Sequence, residues 1–596
     1  MPPPARPSAA SAHALQATPA PRAAHNLLER VTEGDGNHTL ESLTAAMGQL
    51  RAMAVQPMLQ RAVACLNAED AKGAARWALK ALHADERNGY AWCLLGMARE
   101  RAGDFVSSIQ AYESALKLLP EHAEIANDLG RLAMRMGMPQ QAEGFFRHFM
   151  AHRPGHPEAA NNLASALRVQ GRRAEAIEVL RPAIQADPTN AILWNSLAAV
   201  VAENGDQANA EIFYAEAMRL DPNFAKPRYN LANALADRGE VAEALPLVEQ
   251  ALKSTRAEDE RQMMLLARST MLIALGRLAE GWDEYEARHH PQFADTLHFA
   301  IDRPAWRPGL DLAGKSMLVI GEQGLGDEIL FANALPDLIE RLGPEGRLTI
   351  AVEPRLVPLF SRSFPQARVG SHATVLHGGR SVRLLPFLED AGAIDLWAPL
   401  GSLLREFRRD VAAYPDRPRF LAAAPDRVAH WRGVLEAAPT GRKVGLLWKS
   451  GTARGARHRY FSAFEQWAPV LRQCGVAFVN LQYGDCAEEL AFAQREFDVE
   501  VWDPPGIDLK QDLDEVAALS CALDLVIGFS NATFNIAAAC GAPAWLITTP
   551  GAWPRLGCAD RYPWYPQTRV FAPATYGDWD AAMADVAQAL GAWTKA

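Results

Sequence analysis

The chain has 596 residues, 49% of them hydrophobic, and a formal charge of −10 at neutral pH. That length accommodates several domains of about 100–200 residues, each with a sizeable core. The acidic balance, with a pI near 5.9, excludes a general nucleic-acid binder, so any anion site must come from local basic residues.

The first stretch, MPPPARPSAASAHALQATPAPRAAHN, is Pro/Ala-rich and has no hydrophobic segment. Residues 1–40 are expected to be a disordered tail, neither secretory signal nor anchor. Cysteines 65, 93, 474, 486, 521, 540 and 558 form no C-x-x-C pair and no zinc-ligand spacing. A reduced, cytoplasmic chain is expected, and the sequons at Asn37 and Asn531 are read as coincidence. No apolar run approaches about 18 residues, so no membrane span is expected.

Residues 41–290 form a periodic region. Glycines recur at 103, 137, 171, 205 and 239, a spacing of 34 residues. Leu95, Leu129, Leu163, Leu197 and Leu231 keep the same register, as do Gly96, Gly130, Ala164, Ala198 and Ala232, and Pro120, Pro154, Pro188 and Pro222. The pattern predicts helix–turn–helix units. The small residue lets two helices approach, the glycine allows the tight turn, and the proline ends the second helix. By period, and by WCLLGMARERAGDFVSSIQAYESALKLLP in particular, it resembles the tetratricopeptide repeat. Clear repeats run from about 89 to 258. A degenerate one precedes them, with Ala62, Ala74 and Ala81 in register, and a slipped capping repeat ends near 290. Asn127, Asp128, Asn161, Asn162, Asn195, Asn230 and Asn233 fall on the first helices, which line the concave groove of such an array. Their amides can grip an extended peptide, or tie neighbouring helices together and bind solvent.

From about 300 the period changes. SMLVI (316–320), RLTIAV (347–352), KVGLLW (443–448), VAFVNLQ (476–482), LDLVIG (523–528) and PAWLIT (543–548) alternate with helical segments. Continuous apolarity predicts strands of parallel sheets covered on both faces. The polar interval from Glu406 to Trp431 is expected to link two α/β lobes, 300–425 and 426–596. In GEQGLGDEILFANAL (321–335) a strand runs into a glycine-rich turn and a helix. Its spacing fits neither a dinucleotide fingerprint nor a P-loop. Asp327 and Glu328 would repel a phosphate there, and at a helix start they also suit the helix dipole.

In the second lobe Ser530, Asn531 and Thr533 sit at a helix start after a strand, a ready anion site. LLWKSGTARGARHRYFS (446–462) concentrates Lys449, Arg454, Arg457, His458 and Arg459; it is an anion-binding loop or a solvated basic one. Gln482 and Tyr483 also follow a strand. TTPGAWPRLGCADRYPWYP (548–566) brings Trp553, Trp564 and Tyr565 to a strand end, as a ligand cover or a packed loop. Asp512 and Asp514 read as helix-start charges rather than metal ligands, and Cys540 as core.

The GLGDEILFANALPDL turn, GLLWKSG, DLVIGFSNATFNIAAACGAPAW and YPWYP together resemble two-lobed GT-B glycosyltransferases. The nearest are heptosyltransferase-like enzymes fused to tetratricopeptide repeats, among them bacterial flagellin glycosyltransferases. The resemblance implies a helical solenoid followed by two Rossmann-like lobes, the first facing the acceptor and the second holding a nucleotide-sugar. Gly324 and Gly326 would form the acceptor-side loop. Asp327 would be the base, with Glu328 second. Lys449, Arg457, His458, Gln482, Ser530, Asn531 and Thr533 would bind the donor. It further implies a metal-independent, inverting transfer to Ser or Thr of flagellin, with no cofactor. The co-substrate would be a nucleotide-sugar such as a CMP-activated nonulosonic acid, for example pseudaminic acid. A non-catalytic flagellar or secretion adaptor, and a transferase acting on surface carbohydrate, are the alternatives.

Overall fold

A computed structural model of the chain describes residues 36–291, 296–377, 380–450 and 460–595, with only the backbone described at 36–46, 48–50 and 52. Two compact units divide it, the first ending at Pro222 and the second beginning at Asn223. Among the described residues no helix is long and apolar enough to cross a membrane.

The first unit is a solenoid of helix pairs: Gly36–Asn67 with Ala71–Ala84, Gly89–Arg101 with Phe105–Leu118, Ala123–Arg135 with Pro139–His152, Pro157–Val169 with Arg173–Ala186, and Ala191–Glu203 with Gln207–Leu220. The first helix begins at Gly36, inside the stretch expected to be tail. Glycines 103, 137, 171 and 205 adopt φ between +71° and +92° at the intra-repeat turns, where a Cβ would strain the backbone. The small positions are set by an aromatic on the second helix. A Cβ added at Gly96 would lie 2.8 Å from the Tyr112 ring, and one at Gly130 would lie 2.4 Å from Phe146. Asp70, Asn88, Asp104, Asn190 and Asp206 cap helix starts by accepting backbone N–H groups, each worth about 1 kcal/mol.

The second unit opens with four further helices, Ala225–Asp237, Val241–Ser254, Glu258–Ala274 and Leu278–Glu284. Strands follow: β1 (His298–Phe299), β2 (Ser316–Ile320), β3 (Arg347–Val352), β4 (Ala367–Ser371), β5 (Ala373–His377), β6 (Arg380–Leu384), β7 (Leu396–Pro399), β8 (Arg442–Leu447), β9 (Val476–Asn480), β10 (Val501–Trp502), β11 (Leu525–Phe529), β12 (Ala544–Ile547) and β13 (Arg569–Phe571). One sheet runs β4-β3-β2-β7 and a second β10-β9-β8-β11-β12-β13, with every pairing parallel. The second has the 3-2-1-4-5-6 order of a doubly wound sheet, and the first its 3-2-1-4 part. The strands read as continuous apolar runs are those buried on both faces: β2 and β11 are buried at every residue. A small sheet, β1-β6-β5, lies apart from these two.

The interval Glu406–Trp431 lies between β7 and β8 and is packed against both flanking regions. Arg408 is buried, donating to Asn333 Oδ1 at 2.8 Å and to the Asn333 carbonyl at 2.6 Å. Phe420 N and Leu421 N both donate to the Ala539 carbonyl at 3.1 Å. Tyr414 packs edge-on against Trp564 at 5.0 Å between ring centroids.

A core of rings closes the unit. Trp282, from the last helix before the strands, makes edge contacts with Phe331, Trp553 and Trp564 at 6.1–6.3 Å. Gly239 and Gly276, in the turns of the helical segment, abut Gly551 and Gly557 of the loop after β12. The Tyr460 hydroxyl donates to Asp237 at 2.7 Å. Ile273, Leu278, Trp282 and Tyr285 therefore share their core with the two sheets, whereas Ala225 to Leu272 keep a hydrophobic cluster of their own, as a continuation of the repeat pattern would.

Candidate functional site

In a doubly wound sheet the ligand crevice forms outside the carboxyl ends of the two strands where the winding reverses. These are β2 and β7 in the first sheet, and β8 and β11 in the second. The turn Gly321–Gly324 leaves β2, and Leu400–Leu403 leaves β7. Trp448–Ser450 leave β8, and Ser530–Thr533 leave β11.

The helices that begin at β2 and β11, Leu325–Phe331 and Ala532–Ala539, meet at their first turns. A Cβ at Gly326 would stand 3.3 Å from Asn535 Nδ2 and 3.6 Å from Ala532 N. Asn535 Nδ2 donates to the Gly326 carbonyl at 3.4 Å, and the Tyr565 hydroxyl donates to Asn535 Oδ1 at 3.1 Å. Two helix N-termini thus converge beside Asp327, with glycine where a side chain would hold them apart.

Two buried carboxylates brace the β2 turn. Glu322 takes Arg288 Nη2 at 2.8 Å, Arg288 Nε at 3.1 Å and Gly401 N at 2.9 Å, with His289 Nε2 3.0 Å away. Burial pushes the Glu322 carboxyl up, but Arg288 and His289 outweigh it and bring it down to about 2. Glu328 is equally buried. It accepts Glu353 N at 2.9 Å and pairs with His372 Nε2 at 2.8 Å. A Cβ at Gly321 would fall 2.3 Å from its carboxyl carbon, so the carboxylate occupies that space. Arg383 ties both braces together, donating to His372 Nδ1 at 3.1 Å and to the Glu322 carbonyl at 3.1 Å. Glu328, the second carboxylate named from the sequence, therefore faces the interior of its own lobe rather than the crevice. Glu322, His372 and Arg383 were missed because each acts through a partner far away in the chain.

Asp327 is half-buried, and Gly324 next to it is exposed. Its charge acts on three phenols. Burial pushes Tyr285, Tyr562 and Tyr565 above the ordinary tyrosine range, and Asp327 adds to each shift. These hydroxyls stay protonated and can donate.

On the second lobe Asn531 is the N-cap. Its Oδ1 accepts Phe534 N at 2.9 Å, and its Nδ2 reaches the Lys449 carbonyl at 3.5 Å. Ser530 is exposed and Thr533 buried. Gln482 is buried and structural, its Oε1 accepting Trp448 N at 3.1 Å and Lys449 N at 2.9 Å. The backbone of Lys449 adjoins the β11 turn, but its ammonium pairs with Glu489 and donates to the Asp485 carbonyl at 2.9 Å. Arg454, Arg457, His458 and Arg459 lie outside the described residues. Asp514 pairs with Arg362, and Asp512 accepts Asp508 N at 2.9 Å without capping its helix through its side chain. Among the described residues no cluster of His, Cys, Asp and Glu could hold a metal. Trp564 and Tyr565 are fully buried, so the loop after β12 packs as part of the fold.

The groove asparagines of the first unit form a chain of their own. Asn162 Nδ2 donates to Asn127 Oδ1 at 2.8 Å, Asn161 Nδ2 to Asn162 Oδ1 at 3.1 Å, and Asn127 Nδ2 to Glu158 at 2.7 Å. Ser196 donates to Asn161. Asn195 is buried. These amides tie repeat to repeat, and the half-buried Asn161 and Asn162 keep unused donors and lone pairs. In the second unit Asn230 is half-buried, and Asn233 bonds the Tyr229 hydroxyl. Asp128, beside Asn127, is buried with Oδ2 unpaired, while Oδ1 takes Arg131 at 2.8 Å. Burial raises its carboxyl to about 7 against the opposing pull of Arg131.

Models of the tetratricopeptide repeat match residues 93–157, 133–200 and 228–258. Protein FlbA of Caulobacter vibrioides is 49% identical over 551 residues, covering 92% of each chain. Among solved structures, MamA is 25% identical over 28% of this chain and 97% of its own, with a TM-score of 0.24. A tetratricopeptide repeat protein from Parabacteroides merdae is 14% identical over 39% of this chain and 91% of its own, with a TM-score of 0.36.

Proposed function

The chain belongs to the family of Protein FlbA, and from that premise we propose that it is a flagellar protein O-glycosyltransferase of the GT-B type. The repeats recruit the protein acceptor, flagellin, and raise its effective concentration at the crevice. The second lobe binds a nucleotide-sugar, a CMP-activated nonulosonic acid such as pseudaminic acid. The observation that carries this reading is the meeting of two switch-point helix starts at Gly326 and Asn535, with Asp327 at the junction.

The chemistry is a direct, inverting displacement. Asp327 takes the proton of a Ser or Thr hydroxyl while the hydroxyl oxygen bonds to the anomeric carbon. The bond from that carbon to the phosphate oxygen breaks, and its electron pair leaves with the nucleotide. Backbone N–H groups at the Ala532–Ala539 helix start receive the growing negative charge. Lys449 joins them once the incoming phosphate competes with Glu489.

The test is incubation of the full chain with flagellin and a panel of nucleotide-sugars, read by intact mass. A mass increment matching one sugar, abolished in Asp327→Asn, is the expected result. No increment with any donor, together with retained flagellin binding, sinks the reading in favour of a flagellar adaptor. One observation favours that second reading: the Lys449 ammonium is already neutralised by Glu489.

A further inference from the structure

Cys521 and Cys540 are 19 positions apart in the chain, and the Cys521 sulfur lies 3.8 Å from the Cys540 carbonyl oxygen. Cys521 sits in the last turn of the helix Leu513–Ala522, and Cys540 is the C-cap of the helix Ala532–Ala539. These two helices pack on each other. Both thiols are free; Cys521 is half-buried and Cys540 buried. They also bond each other, Cys540 donating to Cys521. That bond lowers the Cys521 thiol below the ordinary cysteine range; burial opposes the shift, and the guanidinium groups of Arg419 and Arg432 reinforce it. The same bond, together with burial, keeps the proton on Cys540. Arg419 stands where the chain leaves Cys540: a Cβ at Gly541 would lie 3.2 Å from the Arg419 Cβ. A reachable sulfur beside cations, backed by a second thiol, is the setting in which cysteines are oxidised selectively.

We propose that Cys521 and Cys540 form a redox-sensitive dithiol that a peroxide converts to a disulfide. The Cys521 sulfur, as thiolate, attacks one peroxide oxygen. The O–O bond breaks, and the departing hydroxide takes a proton and becomes water. Cys521 then carries a sulfenic acid. The Cys540 sulfur attacks the Cys521 sulfur, the S–S bond forms, and hydroxide leaves with the Cys540 proton as a second water. In sum two thiols are oxidised and one hydrogen peroxide is reduced to two waters. A half-buried sulfur suits an oxidant this small. The new bond closes a loop that holds β11, the Ser530–Thr533 turn and the helix Ala532–Ala539. The Ala539 carbonyl, beside Cys540, receives Phe420 N and Leu421 N, and the first turn of the same helix carries Asn535 against Gly326. Oxidation therefore pins the far end of the helix that meets the Asp327 turn. The inference stands apart from the transferase reading, because its readout is covalent.

The experiment exposes the full chain to hydrogen peroxide, blocks the remaining thiols with an alkylating reagent in denaturant, and maps the peptides by mass. The expected product is a peptide pair joined through Cys521 and Cys540, lighter by two hydrogen atoms and parted again by dithiothreitol. It should form before the exposed Cys474 is oxidised. A Cys521 that still takes the alkylating reagent after Cys474 has been oxidised overturns the proposal. In Cys540→Ser the reaction should stop at the Cys521 sulfenic acid, trapped by dimedone. A wild-type chain that accumulates that acid instead of the joined pair overturns the proposal as well. The wild-type map needs no variant, so it decides the matter even where Cys540→Ser folds poorly. The oxidised chain should melt at or above the temperature of the reduced one, since the bond restricts the unfolded loop. A clearly lower melt would mean that the helices must part to join the sulfurs, and the proposal would fall.

Discussion

Arg288 and Glu322 form a buried, two-pronged ion pair, with N–H···O bonds of 2.8 and 3.1 Å between side chains that are only 4% and 2% exposed. Removing one partner strands the other charge in the core. Arg288→Met should therefore destabilise the second unit by about 3–5 kcal/mol, seen as a lower urea midpoint of the transition that reports Trp282.

The same pair fixes an acid limit. The folded Glu322 carboxyl sits at about 2, below its unfolded value, so the stability it contributes is complete above about pH 4.5 and is lost as pH falls towards 2. The loss amounts to about 3 kcal/mol. Glu322→Gln should flatten the fall of the melting temperature between pH 5 and pH 3; an unchanged slope would refute the assignment.

Asp128 behaves in the opposite sense. Its folded carboxyl lies at about 7, so the native state holds a proton that the unfolded chain releases near pH 4, and stability declines as pH rises from 4 to 7. Asp128→Asn should narrow the difference between the melting temperatures of the first unit at pH 5 and pH 8.

Gly326 and Glu328 test the site from two sides. Gly326→Val places methyl groups where Asn535 and Ala532 now stand, and should cut sugar transfer at least tenfold while leaving helix content intact. Glu328→Ala should melt early, by about 3–5 kcal/mol, because His372 and Glu353 N lose their partner. A variant that melts like wild type but loses transfer would return Glu328 to the crevice.

Where the protein can be cut follows from the shared ring core. A fragment beginning at Asn223 should express as a folded, cooperatively melting protein. One beginning after His290 loses Trp282, Tyr285 and Arg288 and should aggregate. Equal solubility of the two fragments would contradict this.

The repeats were legible because each contact recurs at a fixed spacing: a glycine at every turn, and a small residue wherever Tyr112 or Phe146 must lie against a backbone. β2, β3, β8, β9, β11 and β12 were legible as unbroken apolar runs. β10, a two-residue strand, and β13, with an exposed Arg569, carry too little apolar length to stand out. The braces of the turn were hidden for another reason. Glu328 and His372 lie 44 positions apart, and Arg288 and Glu322 lie 34 apart. A single long-range pair leaves no periodic trace. The same holds for Lys449, whose strand-end position suggested an open cation while Glu489, 40 residues later, neutralises it.

The boundary at Pro222 has a practical meaning for engineering. A foreign solenoid grafted upstream of Asn223, with the final two helix pairs left native, would give a chimera of altered cargo choice whose Asp327 turn still has its native scaffold. The same junction would let evolution shuffle recognition modules without disturbing the ring-lined keel on which the lobes rest.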